Sequence, residues 1–380
     1  MEAILNRLVL KTKKKVSRYF RKPQPYEVIT GNPPELQHEM LASLCLEHLD
    51  SPLKEVSYVH LSGWKNQGAF RVYIKAINGK VWSLIYKNSK YNLLEIPALN
   101  GFPASPGYSE FLIYSDTQSN ISKYLPIVYL CVEREPGKHY QFLMEDLSGI
   151  YTQASSIPRK KFRPLIVSEL PAFHKEMKKW SQKNLNEKLP KYNSQFAYLL
   201  IQYARKIITR VAQTTNNIAA ANVLSRFSLI ENQFLDKKYF HNRDLSLIHG
   251  DMNIANVLVH KNLKGNIKLI DWEWAGIGHP LSDLVSLYRT AKAETYKPVL
   301  ECYYENKLSR NYHCSIAIYE WCRLERGLIN ASFMAAQHMG SKNFEDRNPV
   351  KWLPFTEAYL NVVLDAHNAL LNSDSTGSKI

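Results

Sequence analysis

Leu247-Ile-His-Gly-Asp-Met-Asn-Ile-Ala-Asn-Val-Leu-Val259, followed by Ile267-Lys-Leu-Ile-Asp-Trp-Glu-Trp274, decides the reading of this chain. Two short apolar runs, Asn256 to Val259 and Ile267 to Ile270, flank a turn rich in Lys, Asn and Gly, which predicts an antiparallel hairpin. Asp251 and Asn256 stand at the entry of the first strand and Asp271 at the exit of the second. A hairpin of this kind can bring all three side chains together. Two of them suit Mg²⁺, a hard cation that is held by one or two carboxylates together with phosphate oxygens. The third can accept a proton from an attacking hydroxyl, and that set of groups is what phosphoryl transfer requires. The plain alternative is an ordinary hairpin with solvated aspartates.

The spacing favours the functional reading. His249-Gly-Asp251 with Asn256 five residues on, then Ile270-Asp-Trp-Glu273, and then Gly276, Gly278, Pro280 and Asp283, resembles the aminoglycoside phosphotransferase and choline kinase-like family of small-molecule kinases. The pattern is similar to the catalytic loop and metal-binding Asp of protein kinases, with His-Gly-Asp for His-Arg-Asp and Asp-Trp-Glu for Asp-Phe-Gly. The resemblance covers roughly residues 56–340. It implies an α+β, two-lobed protein-kinase-like fold, with a small antiparallel β-sheet N-lobe and a larger, mainly helical C-lobe.

Carried over residue by residue, the resemblance makes Asp251 the base, Asp271 and Asn256 the Mg²⁺ ligands, and Lys87 the group on the α- and β-phosphates of ATP or GTP, paired with Glu110. It places Ser62, Gly63 and Asn66 in the loop Ser62–Gly68 over the phosphates, and the backbone of Glu145 to Leu147 at the adenine. Asp283 would brace the catalytic loop, and His174 in Leu170-Pro-Ala-Phe-His174 would be structural. Asn253 stands where protein kinases carry a Lys and many relatives a His, so a positive charge is missing there. Glu273 is open between substrate, metal and water. The loop Ser62–Gly68 holds only two glycines and no G-x-G-x-x-G, and Tyr91 to Gly107 is longer than the family usually needs.

Elsewhere the periodicity sets the organisation. Residues 34–50 have helical spacing, and from Val56 the period changes to that of strands. Val56–Leu61, Ala69–Ile77 and Lys80–Lys87 alternate as a meander with Asn78-Gly79 as a hairpin turn, and Ile127–Val132 and Tyr140–Met144 complete five strands. Helices are predicted from Glu110, over Phe162–Met177 with Pro171 kinking or opening it, Ser194–Val211, Ala220–Phe234, Ile316–Gln337 and Phe355–Leu371. The expected organisation is a basic segment over 1–25, an N-lobe over 26–147, a C-lobe over 148–371 carrying the hairpin 247–273 and the acceptor pocket, and a disordered tail over 372–380.

Charge and cysteine content bound the partners. The net charge of +15 comes almost wholly from residues 1–25 and 159–191, each with seven net positive charges, so a basic active site is not implied. Residues 1–22 read as an amphipathic basic segment, either solvated or in weak contact with an anionic membrane or an acidic partner. The basic blocks lack an aromatic platform, which argues against a specific nucleic-acid partner. Five scattered cysteines without a C-x-x-C pair, and no secretory or transmembrane pattern, point to reduced thiols in the cytoplasm. Residues 311–340 hold only Glu320 and Glu325 as acids, beside Arg323, Arg326, Tyr319, Trp321 and Phe333. That mixture suits a neutral or mildly polar hydroxylated small molecule better than a polycation. The rival reading is a catalytically silent kinase-like binding or scaffold protein.

Overall fold

Asn78-Gly79 turns as its sequence dictates. Gly79 takes φ 84°, and the Ala76 N–H bonds the Lys80 carbonyl across the turn at 2.9 Å. The hairpin belongs to a computed structural model that describes residues 28–61, 67–90, 106–116, 120–184, 189–240, 245–263, 267–288, 293–304, 312–339 and 353–375. The basic segment 1–22 and the loop residues Ser62, Gly63 and Asn66 lie outside the described residues. The chain divides into two compact units, residues 1–88 and 89–380. The lobe boundary expected near residue 147 lies inside the second.

The first unit holds β1 (Val28–Thr30), α1 (His38–Leu49), β2 (Leu53–Leu61), β3 (Gln67–Ala76) and the start of β4 (Val81–Lys90). The strands neighbour one another in that order, with β1 and β3 both antiparallel to β2. Phe70, Val72 and Ile74 on β3, with Leu84 and Tyr86 on β4, are buried at alternate positions, as a covered sheet face demands; Val56 lies opposite Ile74 on that face, and Val59 is buried on the other. β1 has no signature in the residues alone, because three positions are too few to establish a period.

The second unit begins with α2 (Pro106–Ser115) and the antiparallel pair β5 (Val128–Glu135) and β6 (His139–Glu145). Then come β7 (Tyr151–Gln153), α3 (Arg159–Asn184), α4 (Ser194–Thr215), α5 (Ile218–Ser225) and α6 (Phe227–Phe234). α3 runs through Pro164 and Pro171. Each proline removes a helical hydrogen bond, which the burial of Phe162, Ile166, Leu170, Phe173 and Met177 offsets. The single helix expected over 220–234 is two, parted at Arg226 with φ −111° and ψ 6°. α4 ends where Asn216 turns left-handed, and Asn217 caps α5 by accepting the Ala220 N–H at 2.9 Å.

The remaining elements are β8 (Ser246–Ile248), β9 (Val257–His260), β10 (Lys268–Leu269), β11 (Gly276–Gly278), α7 (Leu281–Tyr288), α8 (Ala293–Tyr304), α9 (Tyr312–Met339) and α10 (Leu353–Ser375). β9 and β10 form the predicted hairpin, and β7 pairs with the other edge of β9. β8 pairs with β11. Residues 372–375, expected in a disordered tail, are helical and close α10. No helix among the described residues is long and apolar enough to cross a membrane. Cys45, Cys131 and Cys322 are free thiols.

Candidate active site

β8 is wholly buried and delivers the chain into the loop 249–256, from which β9 departs. His249 holds the loop to the second strand of the hairpin: its Nε2–H donates to the Ile270 carbonyl at 3.0 Å, and its Nδ1 accepts the Asp251 N–H at 3.3 Å. Those two partners fix the tautomer with the proton on Nε2. The imidazole also packs on Trp272, which is fully buried, with centroids 4.6 Å apart. Gly250 has φ 80°, and a Cβ there would collide with the Trp274 carbonyl. A larger residue is excluded at this position on both counts.

Asp283, in the first turn of α7, is fully buried beneath the loop. Its Oδ1 accepts the Gly250 N–H and its Oδ2 the His249 N–H, each at 2.9 Å. His174 Nε2 donates to Oδ2 at 3.2 Å. Burial pushes the Asp283 carboxyl up, but the hydrogen bond and charge of His174, with His249, hold it below the usual carboxylate range. An ionised carboxylate accepts only, so two consecutive backbone N–H groups are pinned to one rigid acceptor.

The pinned loop presents Asp251. Its Oδ2 accepts from Asn253 Nδ2 at 2.8 Å and from Asn256 Nδ2 at 3.2 Å, while Asn256 Nδ2 also reaches the Asp251 carbonyl at 3.0 Å. Asn253 Oδ1 accepts the Ala255 N–H at 2.8 Å and so tightens the turn. With its nitrogen committed to Asp251, Asn256 turns its amide oxygen the other way. The Asn256 carbonyl accepts the Ile270 N–H at 3.1 Å, which fastens the loop to the residue before Asp271. Asp271 itself has φ 67°, left-handed backbone that an Asp tolerates better than most residues.

Tyr192 borders this loop from the other side. The segment Pro190–Tyr192 runs beside β11, with the Tyr192 N–H on the Ile277 carbonyl at 2.9 Å and the Ile277 N–H on the Pro190 carbonyl at 2.8 Å. The Tyr192 ring lies so close that a Cβ at Gly276 would meet it at 2.8 Å and one at Gly278 at 3.2 Å. Its hydroxyl donates to the Trp274 carbonyl at 2.6 Å, the same carbonyl that crowds Gly250. Burial pushes this hydroxyl up to about 12, so it stays a donor throughout the working pH range.

Beyond Tyr192 is a small cavity lined by Asn193, Tyr239, Phe240, Leu245, His279, Trp321 and Glu325. Tyr239 stacks on Trp321 at 5.6 Å and Phe240 meets it edge-on at 5.3 Å. Burial pushes the Glu325 carboxyl up to about 7, against the pull of Arg326 and Ser282. Among the described residues its Oε1 has no hydrogen-bond partner, nor do Nε and Nη2 of buried Arg326. Glu320 is absent from this wall. It is turned into the core, bonded to the Tyr296 hydroxyl and to Arg323 Nη1, the latter at 2.8 Å.

Of the residues singled out from the sequence, Asp251, Asn253 and Asn256 meet in one hydrogen-bonded cluster with Asp271 attached through Ile270. Lys87 is on β4 in the first unit. Glu110 is fully buried in α2. Glu145 closes β6, its N–H on the Ile127 carbonyl at 2.8 Å and its Oε2 on the Ile127 N–H at 3.2 Å. Leu147 is buried in a single 3₁₀ turn. Among the described residues no three His, Cys, Asp or Glu side chains gather as a metal site. Tyr192 and Tyr303 escaped the sequence reading, because nothing in their local pattern marks them.

Residues 170–308, which contain this loop, match the model of the phosphotransferase enzyme family APH. Among solved structures the chain is similar to a choline/ethanolamine kinase family protein from Mesorhizobium loti, with 15% identity, a TM-score of 0.52, and 89% of this chain and 99% of that one covered. An ethanolamine kinase of Plasmodium vivax gives 15% identity and a TM-score of 0.52, covering 87% of this chain and 86% of that one. Among curated proteins the chain has no match. The resemblance read from His249 to Asp271 holds, the fold is kinase-like, and the family match supports a phosphotransferase.

Proposed function

We propose that the chain moves the γ-phosphate of ATP, or GTP, to a hydroxyl of a small molecule such as a sugar, an amino alcohol or a natural product. The observation that carries this reading is the Asp251 carboxylate, oriented by Asn253 and Asn256 on a loop pinned by Asp283. The acceptor oxygen attacks the γ-phosphorus, the bond to the β,γ-bridging oxygen breaks, and the acceptor's proton passes to Asp251. Asp271 and the amide oxygen of Asn256 would hold Mg²⁺, since oxygen donors suit that hard cation, and the ion would neutralise charge on the phosphates. Lys87, with Glu110, would hold the α- and β-phosphates, and Ser62, Gly63 and Asn66 would cover them. Because the Glu145 N–H is spent on Ile127, adenine would use the Glu145 carbonyl and the Leu147 N–H.

The small cavity behind Tyr192 would be one edge of the acceptor pocket in this reading, since Tyr192 touches both it and the loop. It has one carboxylate, with Arg326 as its neighbour in charge, which suits a mildly polar acceptor better than a polycation. Asn253, uncharged where protein kinases carry a Lys and many relatives a His, bears on the rate rather than on the type of reaction. The second reading is a catalytically silent kinase-like binding or scaffold protein, and thermal-shift titration with ATP and GTP, with and without Mg²⁺, separates the two: no stabilisation in either condition favours the silent protein. A screen of sugars, amino alcohols, nucleosides and antibiotics for acceptor-dependent ADP release then tests turnover. Asp271→Ala should remove the Mg²⁺-dependent part of the shift. Strong turnover of kanamycin-like compounds would overturn the reading of the pocket.

A further inference from the structure

We propose that Tyr303 is a positioning residue for phosphoryl transfer, acting through His174 and Asp283 on the backbone that presents Asp251. The inference rests on the phosphotransferase reading for its kinetic arm alone. Tyr303 is in the last turn of α8, far in sequence from the loop it would serve.

The chain of contacts is continuous. The Tyr303 hydroxyl is 2.7 Å from His174 Nδ1, and the two rings meet at 5.7 Å and 63°. His174 is buried in α3, and its other nitrogen, Nε2, is 3.2 Å from Asp283 Oδ2. Asp283 in turn takes the His249 and Gly250 N–H groups. Because the carboxylate can only accept, His174 must donate from Nε2. Nδ1 then faces the Tyr303 hydroxyl, and that contact sets the rotation of the imidazole about its Cβ–Cγ bond. Burial of the imidazole and its packing against Phe173, at 5.1 Å, limit the ring further but carry no directional bond. Without the hydroxyl the imidazole can turn, its hydrogen bond to Asp283 lengthens, and the carboxylate is free to rotate away from two N–H groups at once. Asp251 begins at the next residue, so an error of this size reaches the base undiminished.

Tyr303 touches no reacting atom, which makes it a support rather than a catalytic residue. Its removal should therefore slow turnover without weakening either substrate. Tyr303→Phe keeps the ring and deletes the one oxygen. It should lower kcat about tenfold with the KM values for nucleotide and acceptor within about twofold of the parent. Amide deuterium exchange of the full-length protein, followed on peptides spanning 247–252, should be faster in the variant, while exchange in α9 is unchanged. A variant with parental kcat and parental exchange at 247–252 overturns the proposal. So does one that only melts earlier, with kcat per folded molecule unchanged. If the parent protein itself turns over no acceptor, the phosphotransferase reading fails instead, and the exchange measurement still decides whether Tyr303 holds the loop.

Discussion

The loop at Asp251 and the pocket at Trp321 share Tyr192 as a wall, yet they treat polar groups in opposite ways. In the loop, consecutive N–H groups, two asparagine amides and both oxygens of Asp283 are engaged by other groups of the chain. At the pocket, Glu325 Oε1 is buried without a partner among the described residues, and so are two nitrogens of Arg326 behind it. A satisfied polar network fixes a geometry, whereas an unsatisfied one costs stability until a ligand completes it. The loop at Asp251 is therefore held in one geometry, whereas the polar groups around Glu325 are not.

The sharpest way to break that contrast is at the base itself. Asp251→Asn keeps the size and the neighbours of the side chain, so ATP affinity should be retained. Turnover with an accepted substrate should fall by about 10³-fold or more, since deprotonation and orientation are lost together. Next comes the backbone that carries it. Gly250→Ala forces a left-handed conformation and a clash with the Trp274 carbonyl, and should cost about 3 kcal/mol in denaturant unfolding, with the loss of most activity. A variant as stable as the parent would show that the loop is looser than its hydrogen bonds imply.

The pocket should respond in binding instead. Phe240→Ala removes one aromatic wall and should raise the acceptor KM about tenfold while leaving nucleotide affinity in place. A change in kcat alone would mean that the acceptor binds elsewhere. The smallest effect concerns Glu325. Its folded-state value of about 7 lies above the ordinary 4.5, so its contribution to stability is full below about 4.5 and is lost as pH rises through about 7. Glu325→Gln should therefore melt close to the parent at pH 5 and about 2–4 °C higher at pH 8 in calorimetry. Glu320, likewise raised to about 7, keeps part of the slope in the variant. A constant difference across that range would mean that Glu325 is not the titrating group.

The sequence alone was enough for elements whose chemistry is local. The hairpin at Asn78-Gly79, the pairing of β9 with β10 and the gathering of Asp251 with Asn256 each depend on residues a few positions apart. The role of Asp283 was legible too, through a resemblance rather than through spacing. The break at Arg226 was not, because the apolar period continues across it and only the packing of α5 and α6 decides where the chain turns. β1, β7, β8 and β11 were equally silent, since three residues carry no period and their pairing partners are distant in the chain.

What the residues by themselves determined is a hairpin that gathers Asp251 with Asn256 and carries Asp271 at its exit, on a kinase-like frame. Tertiary structure alone decided which other side chains hold that hairpin still. Tyr192 bonds a carbonyl 82 residues away, and His174 reaches Asp283 across 109 residues and Tyr303 across 129. It also decided that Glu320 is spent inside the core on Arg323 while Glu325 faces the pocket. Two glutamates five positions apart on one helix differ only in what the rest of the fold brings against them, and that is a property of packing, which no local pattern encodes.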